Sequence, residues 1–183
     1  DATFGADGIA RLDGGKGHDS GLRLVVQPNN SIVVTGYGHN GSNYDMLVAR
    51  FDATGTLDQT FGDNGLVLLD GGDYDRGFGV GLDSQERVLL TGLMTQLDAQ
   101  DTDYDICVLR LDPNGHLDAS FGYDGIALYD GGNREECYDL VVQCDDSILL
   151  AGHSGYSGIG ASDWDLVVLK YTPDGILDKT FGS

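Results

Sequence analysis

One five-residue motif recurs four times and sets the scale on which the chain is organised. Asp1-Ala-Thr-Phe-Gly5 returns as Asp58-Gln-Thr-Phe-Gly62, Asp118-Ala-Ser-Phe-Gly122 and Asp178-Lys-Thr-Phe-Gly182, so Phe4, Phe61, Phe121 and Phe181 are spaced by 57, 60 and 60 residues. Other landmarks keep the register: Asp13, Asp70 and Asp130, each followed by Gly-Gly; Tyr44, Tyr104 and Trp164, each followed by Asp; and Arg50, Arg110 and Lys170. Self-similarity at a fixed period marks units that bury their apolar faces only against neighbouring copies. The divisions are repeats 1–57, 58–117 and 118–177, with the start of a fourth motif at 178–183, all within one unit 1–183.

Inside each repeat the hydrophobic period is two and the runs are short. Leu22–Gln27, the turn Pro28-Asn-Asn30 and Ser31–Gly36 read as a hairpin. Met46–Phe51, Ile106–Leu111 and Leu166–Tyr171 are apolar on both faces, as expected of a strand between two sheets. A fourth strand is expected after each Phe-Gly, at Gly8–Leu12, Gly65–Leu69 and Gly125–Tyr129. Composition agrees: 29 Gly and 27 Asp against three Glu favour turns over helix. Four strands per repeat predict an all-β chain, a β-propeller of three four-stranded blades, either half of a six-bladed ring or part of a longer repeat protein. A β-solenoid, with shorter coils, is the competing architecture. The third blade lacks a closing strand, so completion is expected from Gly8–Leu12 of the same or another copy, or from flanking repeats.

The pattern Leu-Asp-x-Thr/Ser-Phe-Gly-x-x-Gly, with Asp-Gly-Gly and Asp-x-x-x-x-Arg/Lys between copies, resembles the delta-60 repeat family over the whole chain. The resemblance implies an NHL-like bacterial β-propeller in a secreted or surface-associated protein, and it carries over no catalytic residue. Two departures stand out: Thr172 replaces the Asp of Asp52 and Asp112, and Asn64 replaces that of Asp7 and Asp124.

The 30 acids outnumber the 10 Lys and Arg, leaving a formal charge of −20, which argues against nucleic-acid or anionic-membrane binding. No apolar run approaches the ~20 residues of a membrane span. About half of the Asp residues recur in register and read as turn residues. The unrepeated remainder is chiefly Asp98 and Asp101, beside Asp103 and Asp105, which form one acidic run. Their alternate spacing suits an oxygen-seeking cation such as calcium, although Ile106 and Asp112 stand where an EF-hand needs Gly and Glu. The competing reading is a solvated acidic loop. Cys107, Cys137 and Cys144 have no metal-type spacing and are expected to be free, buried thiols. His18, His39, His116 and His153 share no register, which gives zinc little support. The variable segments 36–44, 92–104 and 152–164 carry the candidate binding aromatics Tyr37, Tyr156 and Trp164, suited to a carbohydrate or protein ligand. Trp164, in register with Tyr44 and Tyr104, also reads as inter-blade packing.

These features suggest a non-enzymatic extracellular or surface protein, a structural or binding propeller module that is homo-oligomeric through strand exchange or continued by flanking repeats. Two alternatives remain: a polysaccharide-acting hydrolase or lyase using axial Asp residues, and a self-assembling filament subunit.

Overall fold

A computed structural model describes residues 1–14, 16–95, 104–132, 134–158 and 161–182, with residues 156–158, 161 and 162 described by backbone alone. Among the described residues, eleven strands form three antiparallel sheets in chain order. The first contains β1 (Asp19–Val26), β2 (Ile32–His39), β3 (Tyr44–Phe51) and β4 (Leu66–Leu69). The second contains β5 (Arg76–Leu82), β6 (Val88–Thr95), β7 (Tyr104–Leu111) and β8 (Ile126–Tyr129). The third contains β9 (Arg134–Val142), β10 (Ile148–Gly158) and β11 (Ala161–Tyr171), and ends there. Each sheet is one propeller blade, as the repeat predicts, and the third has three strands.

Local chemistry explains the meander. The inner hairpins close through Asn30, Glu86 and Asp146, all at positive φ (67°, 61° and 61°). Asp7, Asn64 and Asp124 share another left-handed position (54°, 54° and 49°). That position explains the interchange of Asn and Asp, the non-glycine residues best suited to this conformation. Several other registered acids accept backbone N–H groups. Asp58 and Asp118 bind the N–H and hydroxyl of Thr60 and Ser120. Asp52 and Asp112 each hold two turn amides. Thr172 replaces them with its hydroxyl, which accepts the Ile176 N–H at 3.2 Å.

The Phe-Gly motif joins blade to blade. The N–H groups of Gly5, Gly62 and Gly122 donate to Thr54, Asn114 and Asp174 at 2.6, 2.7 and 2.8 Å, each in the turn of the following blade. Arg50 and Arg110 reinforce the same joints by donating to the carbonyls of Pro113 and Pro173 while lying over Phe61 and Phe121. Edge strands β1, β5 and β9 pack in succession. One apolar layer, with Met46, Val48, Val88, Leu90 and Leu109, lies between blades 1 and 2. A second, with Ile106, Val108, Leu150, Leu169 and Tyr171, lies between blades 2 and 3.

The N-terminal segment departs from expectation. Gly8–Leu12 forms no strand, only isolated bridges from Ile9 to Gly5 and Ala6. Ala10 and Leu12 nevertheless pack against Leu47 and Ala49 on the outer face of blade 1, as Val67 and Leu69 of β4 pack against blade 2. The segment takes the place on blade 1 that β4 takes on blade 2, and among the described residues no strand lies beside it to supply the hydrogen bonds of a ladder.

Candidate binding cleft and acidic blade junctions

Each innermost strand is interrupted at the same place. Register slips between Gly21 and Arg23 in β1, between Gly77 and Gly79 in β5, and opposite Ala151 and Gly152 in the β9–β10 pair. A bulge re-aims the residue it extrudes, here Leu22, Phe78 and Tyr138. Glycine stands opposite each bulge: a Cβ on Gly36, Gly92 or Gly152 would collide with the carbonyl oxygen of Ser20, Arg76 or Glu136.

The bulges in β5 and β9 lie beside a cavity of about 410 Å³ between the blades. Tyr44 and Tyr74 form one wall, with ring centroids 6.1 Å apart. Tyr104 lines the cavity with Arg134, whose guanidinium sits 4.4 Å from the ring centroid. Arg134 is engaged: its Nε and Nη2 donate to Glu136 at 3.1 and 2.8 Å. Tyr138 donates its hydroxyl to the other Glu136 oxygen at 2.9 Å, and burial together with this donation pushes its pKa up to about 12. Arg76 differs. Its guanidinium lies over Tyr37 and Tyr44, at 5.0 and 5.8 Å, and its buried Nε has no acceptor. Among the described residues it forms no ion pair.

Acidic groups meet where blades join. Asp45, Asp70 and Asp75 present carboxylate oxygens within 4.8 Å of one another, as do Asp105, Asp130 and Glu135, and either group could hold a metal ion. Asp75 accepts the N–H groups of Gly71 and Thr95, while Glu135 accepts from Gly131 and the Ser154 hydroxyl. Burial, with a further contribution from Asp70, raises the pKa values of both Asp45 and Asp75. Asp19 is the counterpart in blade 1, accepting the Gly14 N–H at 2.7 Å. Two thirds of another junction therefore stand at one end of the chain, at Asp13 and Asp19, and one third at the other, at Asp165.

The residues singled out by sequence fall in different places. Asp105 belongs to the second junction, whereas Asp98, Asp101 and Asp103 lie outside the described residues. Tyr37 is under Arg76 at the cleft. Trp164 is on blade 3, 4.3 Å from His153 in an edge-on contact and 38% exposed. Tyr156 is placed on β10 by its backbone only. Cys107 and Cys137 are free and buried, with pKa values raised by desolvation. Cys144 is free but exposed, a correction to the expectation of three buried thiols, because it follows β9 in the turn where the chain leaves the core.

Sequence reasoning missed Arg76, Tyr74, Arg134 and Glu136, which are unrepeated and come together only across two blades. It also missed the equivalence of Asp19, Asp75 and Glu135, hidden by an inserted residue in repeat 1 and an Asp-for-Glu exchange. The detectable signal was a carboxylate shortly after each Asp-Gly-Gly.

A family model described as "Domain of unknown function (DUF5122) beta-propeller" matches residues 27–61 and 87–121. Each match runs from an inner hairpin turn to the Phe of the closing Phe-Gly. No curated protein matches the chain. Among the described residues, no helix is long and apolar enough to cross a membrane.

Proposed function

We propose that these are delta-60-type propeller blades acting outside the cell or at its surface as a non-catalytic structural and binding module, with the ring completed by a second copy. The observation that supports this reading most is the contrast between inner and terminal blades. Met46, Val48, Ile106 and Val108 are fully buried, whereas their counterparts Leu166 and Val168 are 81% and 45% exposed. At the opposite end Ile9, Leu24 and Val26 are exposed. Covering such a side chain contributes about 1–2 kcal/mol, and an uncovered strand edge favours pairing.

The N-terminal segment already sits on its own blade, so docking requires no exchange of structure. Pairing it with the β11 of another copy, in the register of β4 on β3, sets Ile9 opposite Leu169 and Leu12 opposite Leu166. The same docking unites Asp165 with Asp13 and Asp19 as a third acidic junction. Phe181 and Gly182 duplicate Phe4 and Gly5, and Phe4-Gly5 already occupies the turn that Phe181-Gly182 would otherwise meet. The terminal motif is therefore dispensable for closure.

Light scattering tests this reading. Twice the chain mass is expected, Leu166→Lys should return the protein to a monomer, and Phe181→Ala should leave the mass unchanged. A wild-type protein monomeric at high concentration refutes it. Large heterogeneous particles would indicate the filament alternative.

Calcium is the finer reading of the acidic junctions. Hard carboxylate oxygens this close favour a divalent cation, and two such junctions occur among the described residues. Calorimetric titration with calcium should release heat that Asp105→Asn reduces; no heat at millimolar calcium refutes the assignment.

A further inference from the structure

We infer that the cleft between the blades binds an acidic saccharide, with Arg76 receiving its carboxylate and the tyrosines stacking on its sugar rings. The charge arrangement carries the first half. Of the two arginines in the cleft, Arg134 is neutralised by Glu136. Among the described residues Arg76 has no anionic partner, and its Nε is buried without an acceptor. A buried donor left without a partner costs free energy, and a planar guanidinium matches a carboxylate through two parallel hydrogen bonds. Its position over Tyr37 and Tyr44 fixes the plane of the guanidinium, and the residue lines the cavity.

The shape of the cleft carries the second half. Tyr44 and Tyr74 offer rings tilted by 34° to each other beside a cavity of about 410 Å³. Aromatic faces take the apolar C–H side of a sugar, and phenolic hydroxyls serve its polar rim. The chain's charge of −20 opposes an anion at long range. At physiological ionic strength that field is screened within about 8 Å, so the nearby guanidinium dominates. The cleft is contained in one chain, so binding does not depend on how the ring closes.

Calorimetry with trigalacturonate, its methyl ester and a triaspartate peptide tests the inference. Trigalacturonate should bind at least tenfold more tightly than the ester. Arg76→Gln should weaken it at least tenfold, and Arg23→Gln, a charge change at a distant exposed site, should leave it unchanged. Should Arg76→Gln misfold by circular dichroism, Tyr74→Ala decides, because that ring is already partly exposed; it should also weaken binding severalfold. Absence of trigalacturonate binding, equal affinity for the ester, preference for triaspartate, or full affinity in the Tyr74 variant each overturns the assignment.

Discussion

Replacing Asp118 by Asn probes the electrostatic joint between repeats 2 and 3. Asp118 accepts from Arg110 Nε at 2.9 Å, Arg87 Nη1 at 3.1 Å and the Ser120 hydroxyl at 2.6 Å. The Ser120 hydroxyl hydrogen bond, followed by the Ser120 amide and the charge and single hydrogen bond of Arg110, holds its carboxyl at about 2, below the ordinary 3.8. Each tenfold change in proton affinity is worth about 1.4 kcal/mol, so this corresponds to about 2 kcal/mol at neutral pH before screening. The side chain is 18% exposed and screening trims the figure. Against that, Arg110, only 3% exposed, would lose its anionic partner. The expected loss is thus about 2 kcal/mol, or about 1 M in urea midpoint at a slope near 2 kcal/mol per molar.

The pH dependence follows from the lowered value. The stabilisation is complete above the unfolded carboxyl's range and is lost as pH falls through about 2. Urea unfolding of Asp118→Asn and wild type, at equal protein concentration, should show the full gap at pH 7, narrowing as pH falls through the ordinary carboxyl range toward 2. A difference under about 0.5 kcal/mol at pH 7, or one undiminished at pH 2, refutes the reasoning. Asp178→Asn is the control: its Lys170 partner is 3.9 Å away, and only a minor effect is expected.

Gly115→Ala should destabilise by about 2–3 kcal/mol in thermal melts, because its φ is +87° and a Cβ would stand 2.7 Å from the Gly62 nitrogen at the blade joint. Gly132→Ala, at φ +79° with nothing within 4 Å, should cost only about 1 kcal/mol of left-handed strain. An aromatic-disulfide thiol reagent should label one cysteine per native chain, Cys144, and all three in denaturant. The raised carboxyls of Asp45 and Asp75 act oppositely to Asp118: their contribution is present at low pH and lost as pH rises through their raised values. Asp45→Asn should therefore flatten the loss of stability expected in urea titrations as pH rises above the ordinary carboxyl range.

The fold was legible because its determinants are copied letter for letter. Phe61 and Phe121, the glycines after them, and Arg50 and Arg110 make the same contacts in successive blades, so sequence identity reports identical geometry. The acidic junction was half legible. Asp45 and Asp105 announce themselves in register, but Asp75 and Glu135 perform one task, accepting a glycine N–H, with side chains of different length. The cleft was illegible, since Tyr74, Arg76 and Arg134 follow no repeat and gain meaning only from their neighbours.

By itself, the sequence determined the architecture: a 60-residue period, strands of period two and turns supplied by Asp and Gly leave a blade as the unit that buries each copy's apolar faces. Tertiary structure alone decided which carboxylates face one another, which arginine guanidinium lies over the cleft tyrosines and which apolar faces remain uncovered. Those properties arise between blades, from side chains tens of residues apart, and distance across a blade junction is not encoded in any local pattern.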